Sequence, residues 1–208
     1  MQIKLEKGQQ LSREQFAAVM ANVRKRTRHP LFAPKVKAME IAKLNAHFCD
    51  YLAPHVQLAM TLQTKCVIKS NPKAAELQLF DIENQYRYFA TRLNYALYKK
   101  GFKRTPDLHS LLMLPTLEGR NFSPEGDRTL HYHVAVGNLP IGLDLMKFKT
   151  LVRQLWVGTH YGKDDVVITP ADEGWVEYIT KELKGGNIAC IDWPNATIPY
   201  DALDFRSQ

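Results

Sequence analysis

The chain has 208 residues, 45% hydrophobic and 24% charged, which suits one sizeable core with a small appendage and excludes a disordered or collagen-like chain. No apolar run approaches the roughly 18–20 residues of a membrane span and the first residues carry no apolar signal segment, so no membrane partner and a cytoplasmic location are expected, or a nuclear one in a eukaryotic host. A net charge of +7 points to a polyanionic partner, most often nucleic acid, and Cys49, Cys66 and Cys190, lacking CxxC spacing, read as reduced, buried thiols.

Residues 12–23 set Phe16, Val19, Met20 and Val23 at helical spacing behind Ser12, a capping residue. The basic run Arg24, Lys25, Arg26 and Arg28 follows. Seven Lys/Arg fall between Arg24 and Lys43 against the single acid Glu40, so the run is either a solvated connector or an arm that contacts phosphates. A second helix is expected over 35–50. Residues 1–50 therefore read as a basic helical extension to a domain spanning 51–208.

From Val56 the pattern alternates: Met60, Leu62 and Thr64 face one way, Thr61, Gln63 and Lys65 the other, as in a strand with one buried face. A helix over 74–99 carries the stripe Leu79, Ile82, Tyr86, Phe89, Leu93 and Leu97, with Gly101 as its stop and Tyr86, Tyr88, Tyr95 and Tyr98 as core and rim residues. Nine Lys/Arg stand against three acids between Lys65 and Arg104, a second stretch expected to meet phosphates. Residues 108–118 read as a strand in which Pro115 marks a bulge or an edge. After a Gly-containing loop it should pair as a hairpin with Leu130-His131-Tyr132-His133-Val134-Ala135-Val136. On a strand His131 and His133 share a face, and two imidazoles on rigid backbone make half of a metal site.

A helix over 143–157, a strand over 165–169, a helix over 172–183 and an edge strand over 187–192 complete the chain. The expected fold is α+β: an antiparallel sheet of about five strands in the split βαβ arrangement of ferredoxin-like and RNA-recognition domains, with helices on one face. In the last helix Trp175, Tyr178 and Lys181 recur three apart and stand in a row.

A strand-borne His131-Tyr132-His133 followed by a helical Tyr178-Ile179-Thr180-Lys181, with Leu58-Ala59-Met60-Thr61-Leu62 upstream, resembles the HUH endonucleases. The likeness is closest to the single-tyrosine rolling-circle replication initiators and to related transposases and relaxases, and it covers about 56–192. It implies Mg²⁺ or Mn²⁺ on His131, His133 and a third ligand, for which Glu118 is the choice because hairpin pairing would bring it beside the imidazoles. Glu125 and Asp127 are the other carboxylates nearby. It also implies Tyr178 as nucleophile, with Lys181 supplying positive charge and a proton to the leaving 3′ oxygen. Tyr178 would then form a 5′-phosphotyrosine link, so that the strand can be rejoined without ATP. Tyr161 is the alternative nucleophile.

The implied partner is single-stranded DNA at an origin or element end, in extended or hairpin form, met by Thr61, Gln63, Lys65 and the basic arm. No Walker-type GxxxxGK[ST] is present, so a separate helicase is expected. Two rival readings remain. One is a non-catalytic single-strand-binding module with an RNA-recognition-like sheet; the other, which the long helices argue against, is a small-molecule metalloenzyme of the double-stranded β-helix type.

Overall fold

The alternation starting at Val56 becomes a 13-residue strand, β1 (Val56–Ile68). In the computed structural model the described residues are 49–68, 72–119, 128–185 and 187–199, with Lys43 and Ala46. Arg24, Lys25, Arg26 and Arg28, the expected helix over 12–23, most of that over 35–50, and Glu125 and Asp127 lie outside the described residues. Residues 49–52 are helical and lead through a 3-10 turn, Ala53–His55, into β1.

After β1 come α1 (Pro72–Tyr98), α2 (Lys100–Arg104), β2 (Leu112–Glu118), β3 (Arg128–Gly137), α3 (Leu145–Val157), β4 (Gly162–Pro170) and α4 (Trp175–Ile179). Three 3-10 turns follow: Lys181–Gly185, Ile188–Cys190 and Trp193–Asn195. The architecture is α+β, and the described strands form one open antiparallel sheet in the order β2-β3-β1-β4.

Period-two alternation gives the sheet two unlike faces. Met60, Leu62, Tyr132, Val134 and Val136 are fully buried on one, against Ile82, Tyr86, Phe89 and Leu93 of α1 and Phe148, Val152 and Trp156 of α3. Each such large side chain contributes roughly 1.5–3 kcal/mol by leaving water. Asp144 starts α3: its Oδ1 accepts hydrogen bonds from the backbone N–H groups of Met146 at 2.9 Å and Lys147 at 3.1 Å. On the other face, Leu112, Leu114 and Ala135 are covered by Val176, Ile179, Leu183, Cys190, Ile191 and Trp193 of the C-terminal segment and by Cys49 and Leu52. That face is apolar and covered at one end, and polar and accessible at the other.

Four expectations differ in detail. The expected fifth strand over 187–192 is instead the 3-10 turn Ile188–Cys190, and the chain after it pairs with β2 through isolated bridges rather than a ladder, Thr116 with Ile191 and Met113 with Thr197. The Asn187 side chain bonds the backbone two residues on, at Ala189, and Pro194 lacks the N–H that a continuing ladder needs. Among the described residues the sheet therefore has four strands, not about five.

The first long helix ends at Tyr98, one residue short of the expected 99, but Gly101 is not its stop: Lys99 turns to a positive φ of 51° and Gly101 falls inside α2. β2 begins at Leu112, not at 108, since Ser110 Oγ donates to the Pro106 carbonyl at 2.7 Å and Leu108 and His109 donate N–H bonds to the Thr105 carbonyl. The α-helix expected over 172–183 spans only Trp175–Ile179. There Thr180 Oγ1 donates to the Val176 carbonyl at 2.7 Å and the chain tightens into the 3-10 turn Lys181–Gly185.

Candidate metal centre and nucleophile

Register decides what meets at the accessible end of the sheet. β3 pairs with both neighbours so that Thr61, His133 and Thr116 lie abreast, and Gln63, His131 and Glu118 form the next row. Directly opposed residues on antiparallel strands have neighbouring side chains on one face. Glu118 ends β2 just before Gly119, whose φ of 90° turns the backbone out of the ladder.

Glu118 Oε2 lies 3.3 Å from His131 Nε2 and 3.4 Å from His133 Nε2. The ligand atoms of the three side chains all lie within 4.8 Å of one another, close enough to hold a metal ion. Two imidazole nitrogens and a carboxylate oxygen suit a borderline or hard divalent cation, and three protein ligands leave positions for water or substrate. His133 is buried and Glu118 and His131 are half-buried, so a bound ion would remain reachable.

The electrostatics favour the ligand forms. Burial raises the Glu118 carboxyl, but the hydrogen bond from Lys181 and the neighbouring positive groups outweigh it, and the group sits below the ordinary carboxylate range. Burial is the main reason that His133 sits below the usual histidine range, with Glu118 pulling the other way. A neutral imidazole and an ionised carboxylate are the species that coordinate metal.

The other nitrogen of His133 is also engaged. Its Nδ1 is 3.0 Å from Thr61 Oγ1 on β1. A hydroxyl both donates and accepts, so Thr61 can hold the ring whether Nδ1 or Nε2 carries the proton. With the proton on Nδ1 and donated to Thr61, Nε2 presents a lone pair toward Glu118, the arrangement of a metal-ligating histidine.

The short helix α4 brings the remaining groups. Its buried side, Val176 and Ile179, packs beside Ala135 of β3. Trp175 donates its indole N–H to the Val134 carbonyl at 3.4 Å and sets its ring edge-on to His133, with centroids 5.5 Å apart. Tyr178 stacks on Trp175 at 5.6 Å and meets His133 at 5.6 Å, with 46% of its surface exposed. Lys181 Nζ lies 2.7 Å from Glu118 Oε1 and 4.1 Å from the centre of the Tyr178 ring. The bond to Glu118 is the first reason that the Lys181 ammonium is held above its ordinary range. Although the α-helix stops at Ile179, the tighter 3-10 turn keeps residues three apart in line.

The structure thus brings His131, His133, Glu118, Tyr178 and Lys181 together. Thr61 lies in the same group, although the sequence suggested a nucleic-acid contact for it. Gln63 is the cross-strand neighbour of His131 and Lys65 is exposed two residues on. Tyr161 packs half-buried against the core under the helices, on the other side of the sheet from the histidines. Trp175, which ties Tyr178 to the sheet, stood in the sequence row, but nothing there showed that it would touch His133.

No helix among the described residues is long and apolar enough to cross a membrane. No family model, curated protein or solved structure matches the chain.

Proposed function

We propose that this chain nicks and rejoins single-stranded DNA through a tyrosine–phosphate link, as an HUH endonuclease acting in rolling-circle replication or in the movement of a genetic element does. One observation carries the reading: an exposed tyrosine and a lysine sit against two histidines and a carboxylate on one accessible sheet end. The strand and helix order, with the sheet order β2-β3-β1-β4, supports the split βαβ architecture of that family.

His131, His133 and Glu118 would hold the ion, Mg²⁺ or Mn²⁺, which when bound would offset the negative charge of the scissile phosphate. Tyr178 is the nucleophile. Its Oη–P bond forms as the P–O3′ bond breaks, and the phenol proton is in net terms transferred to the departing 3′ oxygen. Lys181, an ammonium held by Glu118 beside the Tyr178 ring, is placed to offset the charge of the attacked phosphate and to donate a proton to the departing 3′ oxygen, the phenol proton then replacing the one given up. Trp175 limits the swing of the Tyr178 ring, which keeps the attacking oxygen near the phosphate. One phosphodiester replaces another, so the 3′-hydroxyl can reverse the step. Thr61, Gln63 and Lys65 lie along the path of an incoming strand, and duplex opening falls to a separate helicase.

Incubation of the full chain with a pool of labelled single-stranded oligonucleotides and Mn²⁺ tests the reading. A covalent adduct on the peptide containing Tyr178, lost in Tyr178→Phe, is expected. An adduct on the Tyr161 peptide would move the nucleophile. No adduct with any DNA, alongside retained binding, would leave a non-catalytic single-strand-binding module.

A further inference from the structure

The outward face of α1 carries a row of side chains that the candidate centre does not use. Tyr88, Arg92 and Tyr95 follow at four- and three-residue steps along one side near the end of that helix, with Lys99 just past it, while Ile82, Tyr86, Phe89 and Leu93 turn into the core. Tyr88 and Tyr95 are 51% and 48% exposed. Arg92 stands 5.3 Å over the Tyr88 ring, and Lys103 of α2 stands 5.0 Å over the Tyr95 ring.

Six Lys/Arg and no Asp or Glu fall between residues 85 and 106. Arg87 is bound to Asn195 and Asn84, but Arg92, Lys99, Lys100, Lys103 and Arg104 pair with no carboxylate among the described residues. The helix dipole accounts for cations in a last turn only. It does not account for Arg92 two turns earlier, nor for two large rings left in water.

We infer that this face is a second nucleic-acid tract, remote from the candidate centre, which takes a single strand by stacking bases on Tyr88 and Tyr95 and pairing phosphates with Arg92, Lys99 and Lys103. Alternating rings and cations match the alternating bases and phosphates of a strand whose bases are unpaired, and stacking of this kind is tolerant of sequence. Charge complementarity selects a polyanion, and the exposed rings select single strand over duplex. The inference rests on the preceding reading only in taking nucleic acid as the ligand. His131, His133 and Glu118 project from the opposite face of the sheet, so a helix layer on the order of 10 Å thick lies between the two regions. A strand engaged at both must pass round an edge of the sheet.

Fluorescence anisotropy of the full chain with labelled oligothymidylate in EDTA, where no cleavage occurs, tests the tract. Tyr88→Ala/Tyr95→Ala should weaken binding about tenfold or more, while Tyr88→Phe/Tyr95→Phe should keep it. Arg92→Ala/Lys103→Ala should flatten the logarithmic salt dependence by about 1.4, or about 0.7 for each lost contact. Equal losses for a duplex of the same length would overturn the single-strand assignment. Unchanged affinity in the alanine pair, with a native circular dichroism spectrum, would overturn the tract. So would loss of binding to phosphatidylserine vesicles alone, which would assign the face to a membrane surface. Adduct formation at Tyr178 is scored separately with Mn²⁺. A wild type that binds through these rings without forming an adduct would sink the nicking reading and leave the tract standing.

Discussion

Lys181 and Glu118 meet at 2.7 Å, Nζ to Oε1, while the other oxygen of the same carboxylate faces both imidazoles. One side chain on β2 therefore joins the metal-ligand cluster to the segment that carries Tyr178. Glu118→Gln keeps the shape but removes the charge. It should abolish tight Mn²⁺ binding in isothermal titration and free Lys181, whereas Lys181→Met should leave Mn²⁺ binding at least as strong as wild type. Weaker Mn²⁺ binding in Lys181→Met would show that the lysine supports the ligand set rather than competing for Glu118.

Proton competition gives a pH prediction. His133 and Glu118 both have depressed pKa values, the histidine chiefly through burial and the carboxylate, despite burial, through Lys181 and its positive neighbours. A depressed group in the folded chain resists protonation, so what it contributes is complete above its unfolded pKa and is lost as the pH falls through the folded one. At His133 and Glu118, proton competition with Mn²⁺ should therefore set in only below each group's ordinary range, which NMR of the His133 ring during Mg²⁺ titrations at stepped pH would follow. A midpoint above that range would contradict the burial argument for His133.

Thr61 offers a test by a single methyl-for-hydroxyl exchange. Thr61→Val keeps the strand propensity and size but cannot bond Nδ1 of His133, and loss of such a supporting bond costs about 10- to 100-fold in metal affinity. Thr61→Ser should restore most of it. Equal Mn²⁺ affinity in all three proteins would assign Thr61 no part in holding the ring.

Trp193 is buried on the apolar half of the same sheet face, with Leu112 and Leu114. Trp193→Ala should cost about 3–5 kcal/mol in urea unfolding, through lost apolar burial and the cavity left behind. Because that packing also seats the segment carrying Tyr178, the variant should lose the proposed adduct formation at temperatures where it remains folded by circular dichroism. A variant destabilised by less than about 1 kcal/mol would mean that the segment is held elsewhere.

The two faces of β1 could be read from sequence, because strict alternation in Met60 to Lys65 has one solution once a face is buried. The neighbourhood of Glu118 followed from the hairpin, since residues ending one strand oppose those starting the next. Three features could not be read so. Thr61 reaches His133 only through the long-range pairing of β1 with β3, and no local pattern shows which hydroxyl will stand abreast of which ring. Thr180 ends α4 early through its own back-bond, which a three-apart row does not reveal. The path of residues 187–199 is set by contacts with β2 and α1 rather than by local propensity. There, Asp192 N–H donates to the Pro115 carbonyl, the Asn195 amide donates to the Glu83 carbonyl, and Arg87 bonds to Asn195.

The same path fixes a sequence of events in the life of the molecule. Glu118, His131 and His133 emerge from the ribosome well before Trp193 and Thr197, and the β1, β2 and β3 ladders need nothing beyond Gly137. The helix bearing Tyr178 gains its seat only when residues 191–197 have bridged the edge of β2, which synthesis at about 5–20 residues per second delays by on the order of a second. A nascent chain can thus bring the two histidines and Glu118 together before Tyr178 is held beside them. Premature release by a stop codon within that stretch would yield a chain with the Glu118, His131 and His133 cluster paired on the sheet but without the packing that seats Tyr178 beside it.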